Sequence, residues 1–241
     1  MQTGLYVAVS SQIALEKRMN TLADNVANSS TVGFRATEIK FNQLLGDTQP
    51  TKVSFVSEGR EFINTNNGGL KQSGNSLDFA IKGDAWFQIE TPGGPALTRD
   101  GRFTLTENGD LVSIKGYPVL DAGGAPIQLN NTAGSIQVGQ DGSIHQNGAQ
   151  VASFGLYEAN FDNGFARYDN SAVIPKSNPE PVLDRFGVGV MQGYVEESNV
   201  NAVQEMSQLI MVSRAFENIT ALMRDSEGTL DEAIKTLGGS K

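Results

Sequence analysis

Few residues in this sequence have the types and spacing needed for chemistry, and the first of them is the single histidine. His145 has no second His and no Cys with which to share a metal ion, so we do not expect a metal site there. Several aspartates lie near glycines, but none fits the Asp-x-Asp-x-Asp-Gly pattern of a calcium loop with its closing Glu. We interpret these aspartates as turn formers. They are Asp100, Asp110, Asp121 and Asp141.

Two further patterns resemble cofactor-binding or catalytic motifs. Residues 187–193 contain three glycines, as a dinucleotide-binding loop does, but the third is one position late and no βαβ unit surrounds the run. Glu196 and Glu197 could act as paired carboxylates, although a solvated junction between a strand and a helix is the favoured interpretation. Because the chain also lacks a Gly-x-Ser-x-Gly elbow and a Lys-bearing phosphate loop, we expect neither an enzyme nor a bound cofactor.

Composition narrows the range of partners. The 241 residues have a net charge of −9 and no basic stripe interleaved with aromatic residues, so nucleic acid is not an expected partner. The absence of Cys excludes disulfides and thiolate metal sites. No apolar run approaches the ~20 residues of a membrane span, and the start of the chain has no positive segment. We therefore expect neither membrane insertion nor a cleaved secretory signal.

Two predicted helices organise the chain, and the longer covers residues 198–237. Counting in sevens places apolar residues at two alternating positions, which is the spacing of a coiled-coil seam. The apolar seam residues are Ala202, Met206, Leu209, Phe216, Met223, Leu230, Ile234 and Leu237, and the polar breaks, where we expect the register to be set, are Ser213, Thr220 and Glu227. A second apolar row overlaps the seam and consists of Leu209, Val212, Phe216, Ile219 and Met223. This helix is therefore either the centre of an ordinary core or a surface for several partner helices.

A second heptad pattern predicts a helix at the start of the chain. Its apolar members are Leu5, Ala8, Leu15, Met19, Leu22 and Val26, with Gln12 as the one polar member. Asn28, Thr31, Gly33 and Phe34 shape the exit from this helix, because Asn favours bonds to the backbone and Gly33 can adopt a positive φ. Ser198 and Asn199 are predicted to cap the C-terminal helix.

The middle of the chain is predicted to be mainly β. Turn pairs such as Asn108-Gly109 recur between alternating or apolar runs from Leu77 to about Val195, which indicates a hairpin-rich domain of about ten strands. The predicted fold class is therefore α+β, in which long N- and C-terminal helices pair as a coiled-coil-like α-hairpin beside a mainly-β central domain.

A transition segment separates the first helix from this β region. Phe41, Leu44 and Leu45 are expected to prolong a helical turn, and residues 52–56 alternate like a short strand. For the polar, Asn-rich remainder of this segment, we favour partial flexibility over an ordered surface loop.

Three short motifs occur in order along the chain. Residues 27–35 (ANSSTVGFR) match the pattern ANxxTxGF(K/R), and residues 77–87 and 97–103 (LDFAIKGDAWF and LTRDGRF) resemble LDxAIxGxGFF…YTRxGxF, with Ala85 in place of the commoner Gly. Residues 193–201 (GYVEESNVN), followed by residues 214–217 (RAFE), match the C-terminal end that accompanies those two patterns. Together they resemble the bacterial flagellar axial proteins, the family of rod and hook subunits, and the closest likeness is to its proximal-rod members.

The resemblance implies a structural subunit of the periplasm-spanning rod in the flagellar basal body. It implies copies of the chain and other rod proteins as partners, and the flagellar type III apparatus as the export route. We expect the terminal helices to pair in the axial core, with the second apolar row left uncovered for neighbouring subunits, and to become ordered on docking. The expected assembly residues are Leu15, Met19, Leu22, Val26, Asn28, Thr31, Gly33, Phe34, Ser198, Asn199, Met206, Leu209, Phe216 and Met223.

The expected domains are an N-terminal axial helix (1–35), the transition segment (36–76), the mainly-β domain (77–197) and a C-terminal axial helix (198–241). Three alternative functions stay open. A distal-rod or hook-type axial protein belongs to the same family. A soluble module whose β domain binds a ligand would form a small discrete oligomer. A glycan hydrolase would need two carboxylates across a cleft, and no spacing in the chain singles out such a pair.

Overall fold

The computed structural model describes residues 2–48, 51–57, 59–182 and 187–239. It contains an N-terminal helix, a C-terminal helix and a strand-rich middle, which confirms the mixed helix-and-strand class predicted from the sequence. The chain divides into two compact units. Unit 1 comprises Met1–Ala27, Thr37–Glu61 and Asn201–Lys241, and unit 2 comprises Asn28–Ala36 and Phe62–Val200.

Two long helices form most of unit 1. They are α1 (Gln2–Ala27) and α2 (Ala202–Leu237), and neither contains Pro. The 36 residues of α2 extend over roughly 54 Å at about 1.5 Å per residue. Asn201 caps its start by accepting a hydrogen bond from the Gln204 N–H at 3.2 Å, and Gly238 at its end donates its N–H to the Ile234 carbonyl. Long uninterrupted helices are thus local consequences of the sequence, closed by a cap at each end.

The two helices contact each other in an antiparallel arrangement. Side-chain hydrogen bonds between described residues join them, and residue numbers fall along α2 as they rise along α1. The bonds run from Gln12 Nε2 to Thr220 Oγ1 (3.4 Å), from Arg18 Nη2 to Gln208 Oε1 (3.3 Å) and from Asn25 Nδ2 to Glu205 Oε2 (3.2 Å).

Unit 1 also contains strands from the predicted transition segment. They are β1 (Thr37–Lys40), β2 (Gln43–Thr48) and β3 (Thr51–Val56). β2 and β3 form an antiparallel hairpin whose register runs from Gln43↔Val56 to Thr48↔Thr51. The predicted strand at residues 52–56 is confirmed, but the helical turn through Leu44 and Leu45 is wrong, because both belong to β2. A backbone ladder along the whole hairpin outweighs the weak helix preference of so short an apolar run.

The remaining strands are mostly three to six residues long; the first, β4, begins in unit 1, and the others belong to unit 2. Their bounds are β4 (Arg60–Ile63), β5 (Leu70–Gln72), β6 (Phe79–Lys82), β7 (Trp86–Thr91), β8 (Gly94–Thr98), β9 (Phe103–Leu105), β10 (Leu111–Ser113), β11 (Ile136–Val138), β12 (Ser143–Gln146), β13 (Ala149–Ser153), β14 (Leu156–Glu158), β15 (Phe165–Tyr168), β16 (Ala172–Pro175), β17 (Glu180–Pro181), β18 (Gly189–Gln192) and β19 (Tyr194–Glu196).

A six-stranded antiparallel sheet is the centre of unit 2. Its strand order is β15-β16-β8-β7-β14-β17. Successive residues of a strand point to opposite faces, so Phe87 joins one buried cluster while Trp86 joins another. In the larger cluster the Phe154 ring lies 5.0 Å from the Phe79 centroid and 5.2 Å from the Phe87 centroid. Both faces of the sheet are therefore covered by apolar side chains.

Two small sheets bring the end of unit 2 beside its beginning. β18 pairs with β6 from Gly189↔Lys82 to Gln192↔Phe79, and β19 pairs with β5 from Tyr194↔Gln72 to Glu196↔Leu70. These ladders place Glu196 at the point where the chain leaves the β region.

Candidate assembly site

The predicted seam residues of α1 lie on its covered side. Leu22 is buried, and Leu15, Met19 and Val26 are half-buried. On α2, the predicted residues Leu209, Phe216 and Met223 are also half-buried, whereas Met206 is 49% exposed.

The second apolar row of α2 was predicted to stay uncovered, and that prediction is wrong. Val212, at the centre of the row, is only 7% exposed, and Ile219 is half-buried. At 3.6 residues per turn, this row shares its side of α2 with Glu205 and Thr220, which hydrogen bond to α1. The row is therefore the side of α2 that the chain covers itself.

Six exposed apolar side chains of unit 1 form two short stripes, one on each helix, and four more on α2 lie outside them: Met211, Leu222, Ile234 and Leu237. The α1 stripe is Tyr6, Val9 and Ile13, and the α2 stripe is Val203, Met206 and Ile210. Both stripes have i, i+3, i+7 spacing, which places their members above one another on one helix face. Ile13 is 52% and Ile210 is 55% exposed. The α2 stripe lies about half a turn away from Val212, so α1 does not cover it.

The four predicted exit residues lie in unit 2 and form a compact turn. The Thr31 hydroxyl donates to Asn28 Oδ1 at 3.1 Å, and the Phe34 N–H donates to the Thr31 carbonyl at 3.2 Å. Gly33 has φ +69, as predicted, and its N–H donates to the Glu196 carbonyl at 2.8 Å. Phe34 is buried, and the guanidinium carbon of Arg167 lies 4.3 Å from its ring centroid. This turn is thus held inside unit 2 by its own contacts.

Ser198 and Asn199 do not cap α2, so that prediction is wrong. Asn201 is the cap, and Ser198 Oγ instead accepts the Val200 N–H at 3.3 Å. Asn199 Oδ1 accepts the Ala36 N–H at 2.7 Å, while its amide nitrogen donates to the carbonyls of Asn64 (3.0 Å) and Asn66 (2.8 Å). Asn199 therefore links its own segment to Ala36 and to residues 64–66. Because these partners are far away in sequence, the local pattern does not predict this role.

Replacing Asn199 with Ala is expected to lower the free energy of unfolding of unit 2 by about 1–3 kcal/mol, since the buried Ala36 N–H loses its acceptor. Faster hydrogen exchange at the Ala36 amide would report this change. The control is Asn201→Ala, which removes the α2 cap and should leave the exchange at Ala36 unchanged. Unchanged exchange at Ala36 in the Asn199 variant would contradict the assignment.

The strongest electrostatic feature of the described residues is a buried cluster of Arg35, Arg99 and Glu196, each 1% exposed in its side chain. Arg35 Nη2 lies 2.6 Å from Glu196 Oε1, and Arg99 Nη1 lies 3.1 Å from Glu196 Oε2. Arg99 also donates to the Ile81 carbonyl at 3.1 Å and to the Gly83 carbonyl at 2.5 Å. One carboxylate thus binds two guanidinium groups from distant parts of unit 2.

The positive charge in this cluster exceeds the negative charge. Burial lowers the pKa of Arg99 to about 10, an effect larger than the opposing attraction of Glu196, and burial also lowers the pKa of Arg35. Among the described residues, Arg35 Nε, Arg35 Nη1 and Arg99 Nε have no hydrogen-bond partner. Both guanidinium groups lie over the Trp86 ring, at 5.8 Å and 5.6 Å from its centroid, so the aromatic face supplies part of the missing stabilisation.

The sequence interpretation missed this cluster. A solvated junction was favoured for both glutamates, and this is wrong for Glu196, although Glu197 is exposed. The available signal was that each member belongs to a different one of the three motifs: Arg35 ends the first, Arg99 lies in the second and Glu196 in the third.

The other residues considered for chemistry lie in strands or turns, where they have structural roles. His145 is half-buried in β12, opposite Gln137 and Gln150, and β18 occupies most of the glycine-rich run. Asp121 Oδ1 accepts the backbone N–H groups of Gly123 and Ala125, as expected of a turn former. Across the described ranges, no three His, Cys, Asp or Glu side chains are grouped so that they could hold a metal ion. Within those ranges there is also no helix with the length and apolar character needed to cross a membrane.

Three family models match the chain in sequence order. Residues 5–35 match "Flagella basal body rod protein", residues 80–146 match "Flagellar hook protein FlgE/F/G D1 domain", and residues 191–236 match "Flagellar basal body rod FlgEFG protein C-terminal". The chain is 76% identical to the flagellar basal-body rod protein FlgF of Rhizobium meliloti over 100% of both chains. It is 58% identical to FlgF of Mesorhizobium japonicum over 99% of each chain and 28% identical to FlgG of Bacillus subtilis over 97% of this chain and 98% of that one.

Terminal helices around a strand-rich middle, together with these matches, define a structural protein of the bacterial flagellum. The chain belongs to the family of flagellar basal-body rod proteins, and it is a structural rod subunit located in the basal body. This confirms the family and the role that the three motifs predicted.

Proposed function

We propose that the chain is a subunit of the proximal rod, which assembles through its terminal helices with copies of itself and with other rod proteins. The assembled rod is a hollow shaft that transmits torque from the motor to the hook. The proximal position is supported by 76% identity to an FlgF protein over the full chain, against 28–32% identity to several FlgG proteins. This difference favours the proximal rod over a distal-rod or hook-type subunit.

The observation that carries the assembly mechanism is the pair of exposed apolar stripes on α1 and α2. Fully burying a Val, Ile or Met side chain contributes about 1.5–3 kcal/mol, so the five such residues of the two stripes, together with Tyr6, provide a driving force for helix association. Repeated contacts between two different faces of one subunit generate an open helical array, the geometry that a growing rod requires.

Coiled-coil pairing of α1 and α2 is part of the same proposal. The polar seam position Thr220 accepts a hydrogen bond from Gln12, the one polar member of the N-terminal pattern. A polar pair inside an apolar seam favours one register over the alternatives. In the assembled rod, we infer that Leu15, Met19, Leu22 and Val26 pack against Leu209, Phe216 and Met223.

Export by the flagellar type III apparatus is the last part of the proposal. The family membership of the chain supports this route. Isolated helices with incompletely buried seams are only marginally stable, which suits a subunit that passes through a narrow channel before it docks.

Replacing Ile210 with Asp is expected to abolish incorporation of the subunit into rods and to leave the monomer folded. Ile210 is exposed in the monomer, so its loss removes an intermolecular contact and little intramolecular packing. The measurement is detection of the subunit in basal bodies purified from cells that express only the variant, with circular dichroism of the purified monomer. The matched control is Asn218→Asp, which adds the same charge at an exposed position of α2 outside the stripe.

Phe216→Asp provides a second test on the covered side of α2. We expect loss of incorporation here as well, with the strand-rich unit still folded. Normal rods built from either variant would contradict assembly through the terminal helices. A ligand-binding module would instead give the variant and the wild-type chain the same small oligomer.

A further inference from the structure

A neutral amide lies against the buried cluster of Arg35, Arg99 and Glu196. Asn67 Oδ1 accepts one hydrogen bond from Arg35 Nη2 at 2.7 Å and another from Arg99 Nη2 at 3.1 Å. The next residue, Gly68, donates its backbone N–H to Glu196 Oε1 at 3.0 Å. Both residues of the Asn67-Gly68 pair therefore form hydrogen bonds with the same buried charged cluster.

The buried cluster carries more positive than negative charge. Two guanidinium groups share a single buried carboxylate, and the other nearby acid, Asp84, is exposed to solvent. A buried charge without a full counter-charge is costly, and an amide oxygen offers only a dipole. A carboxylate at position 67 would supply the missing negative charge at hydrogen-bond distance from both arginines.

We propose that Asn67-Gly68 is a site of self-modification, at which the fold promotes conversion of Asn67 to Asp or isoaspartate. In the first step the Gly68 backbone nitrogen forms a bond with Cγ, the amide carbonyl carbon of the Asn67 side chain, and loses its proton. The bond between Cγ and the side-chain amide nitrogen then breaks. The amide nitrogen leaves as ammonia and carries that proton away. Water then opens the cyclic imide at either carbonyl, which yields the Asp or isoaspartate residue without any oxidant or reductant.

Each step has a group in place. Arg35 and Arg99 stabilise the negative charge that develops on the Asn67 oxygen during attack, as donors in an oxyanion hole do. Glu196 Oε1 lies on the Gly68 N–H, the proton that must leave, and acts as general base. Asn67 itself is exposed, so ammonia can depart and water can enter.

Only glycine fits at position 68. A Cβ there would lie 1.9 Å from the Glu197 carbonyl oxygen, so no larger residue can occupy the position without a backbone shift. The absence of a side chain also leaves the backbone nitrogen of Gly68 open to form the five-membered ring. The close packing that requires glycine therefore also supplies the most reactive partner for an asparagine.

The chain contains an internal reference for the test. Asn147-Gly148 is an exposed pair in the turn between β12 and β13, where Asn147 has φ +52. Among the described residues, no charged cluster contacts Asn147 or Gly148. Its rate of modification reports the chemistry of an Asn-Gly pair without the arginines and the glutamate.

The experiment is incubation of the full-length protein at neutral pH and 37 °C, followed by peptide mapping with mass spectrometry. We expect Asn67 to be converted roughly tenfold or more faster in the folded protein than in urea, since the oxyanion donors exist only in the fold. Asn147 should show no such acceleration. Equal rates at Asn67 in both conditions, or protection of Asn67 by folding, would overturn the proposal.

Two substitutions test the charge argument independently. Asn67→Gln keeps the amide acceptor but forms the larger imide ring slowly, so the modification should disappear from the peptide map. Asn67→Asp supplies the product carboxylate directly and is expected to raise the thermal midpoint of unfolding. A lower midpoint for Asn67→Asp than for the wild-type chain would show that the cluster does not favour a second carboxylate.

Discussion

Replacing Glu196 with Gln is expected to lower the free energy of unfolding of unit 2 by about 3–5 kcal/mol, because breaking a buried ion pair leaves an uncompensated charge. The substitution preserves the shape of the side chain and removes the one buried carboxylate that, among the described residues, pairs with both Arg35 and Arg99. Burial already lowers the pKa of both arginines, so their charged forms depend on Glu196 for stability. The effect is large because one substitution disturbs two ion pairs.

Urea denaturation followed by the fluorescence of Trp86, the single tryptophan, measures this loss directly. Trp86 lies beside both guanidinium groups and is therefore sensitive to the state of the cluster. Glu197→Gln is the matched control, since Glu197 is exposed and lies 3.9 Å from Lys71 on the surface. That substitution should change stability by less than about 1 kcal/mol. Equal stabilities of the two variants would mean that the buried cluster contributes no more than a surface pair.

Replacing Gly33 with Ala is expected to destabilise unit 2 by about 2–5 kcal/mol, through backbone strain and overpacking together. The residue has φ +69, which an L side chain rarely adopts. A Cβ there would lie 2.2 Å from the backbone nitrogen of Asp100 and 2.4 Å from the carbonyl carbon of Arg99. Neither atom can move easily, because Arg99 is held inside the buried cluster and Asp100 is engaged by Arg102 at 2.6 Å.

Gly116→Ala separates the two contributions to this effect. Gly116 has φ +85, but nothing lies within 4 Å of the Cβ position. It should therefore show the conformational cost alone, about 1–2 kcal/mol. Urea midpoints of both variants, compared with the wild-type chain, provide the measurement. If the Gly33 variant were no less stable than the Gly116 variant, close approach of the backbone at Gly33 would not be a constraint on the fold.

The helices were predictable because their signals are local. The three- and four-residue spacing of apolar residues and the absence of Pro together placed α1 and α2. The positive φ of Gly33 was predictable for the same reason, since it follows from residue type and position after a helix. The short strands of unit 2 followed from turn pairs between alternating runs.

Features that depend on distant neighbours were not predictable in this way. Leu44 and Leu45 form a strand because β3 pairs with them, although the local apolar pattern suits a helical turn equally well. Asn199 was assigned to a helix cap by its proximity in sequence, yet its partners are Ala36, Asn64 and Asn66. The choice between the two apolar rows of α2 likewise depended on which side α1 covers.

The fold class, the two terminal helices and, through three ordered motifs, membership of the rod protein family were all readable from the order of the residues. The meeting of Arg35, Arg99 and Glu196 depends on the folded arrangement, since Arg99 and Glu196 are separated by 97 positions. The tertiary structure also places Asn67 against the two arginines and leaves particular apolar residues of the two helices exposed. The physical reason is that helix periodicity and turn geometry are encoded within a few residues, whereas a buried charge is stable only where packing supplies its partner.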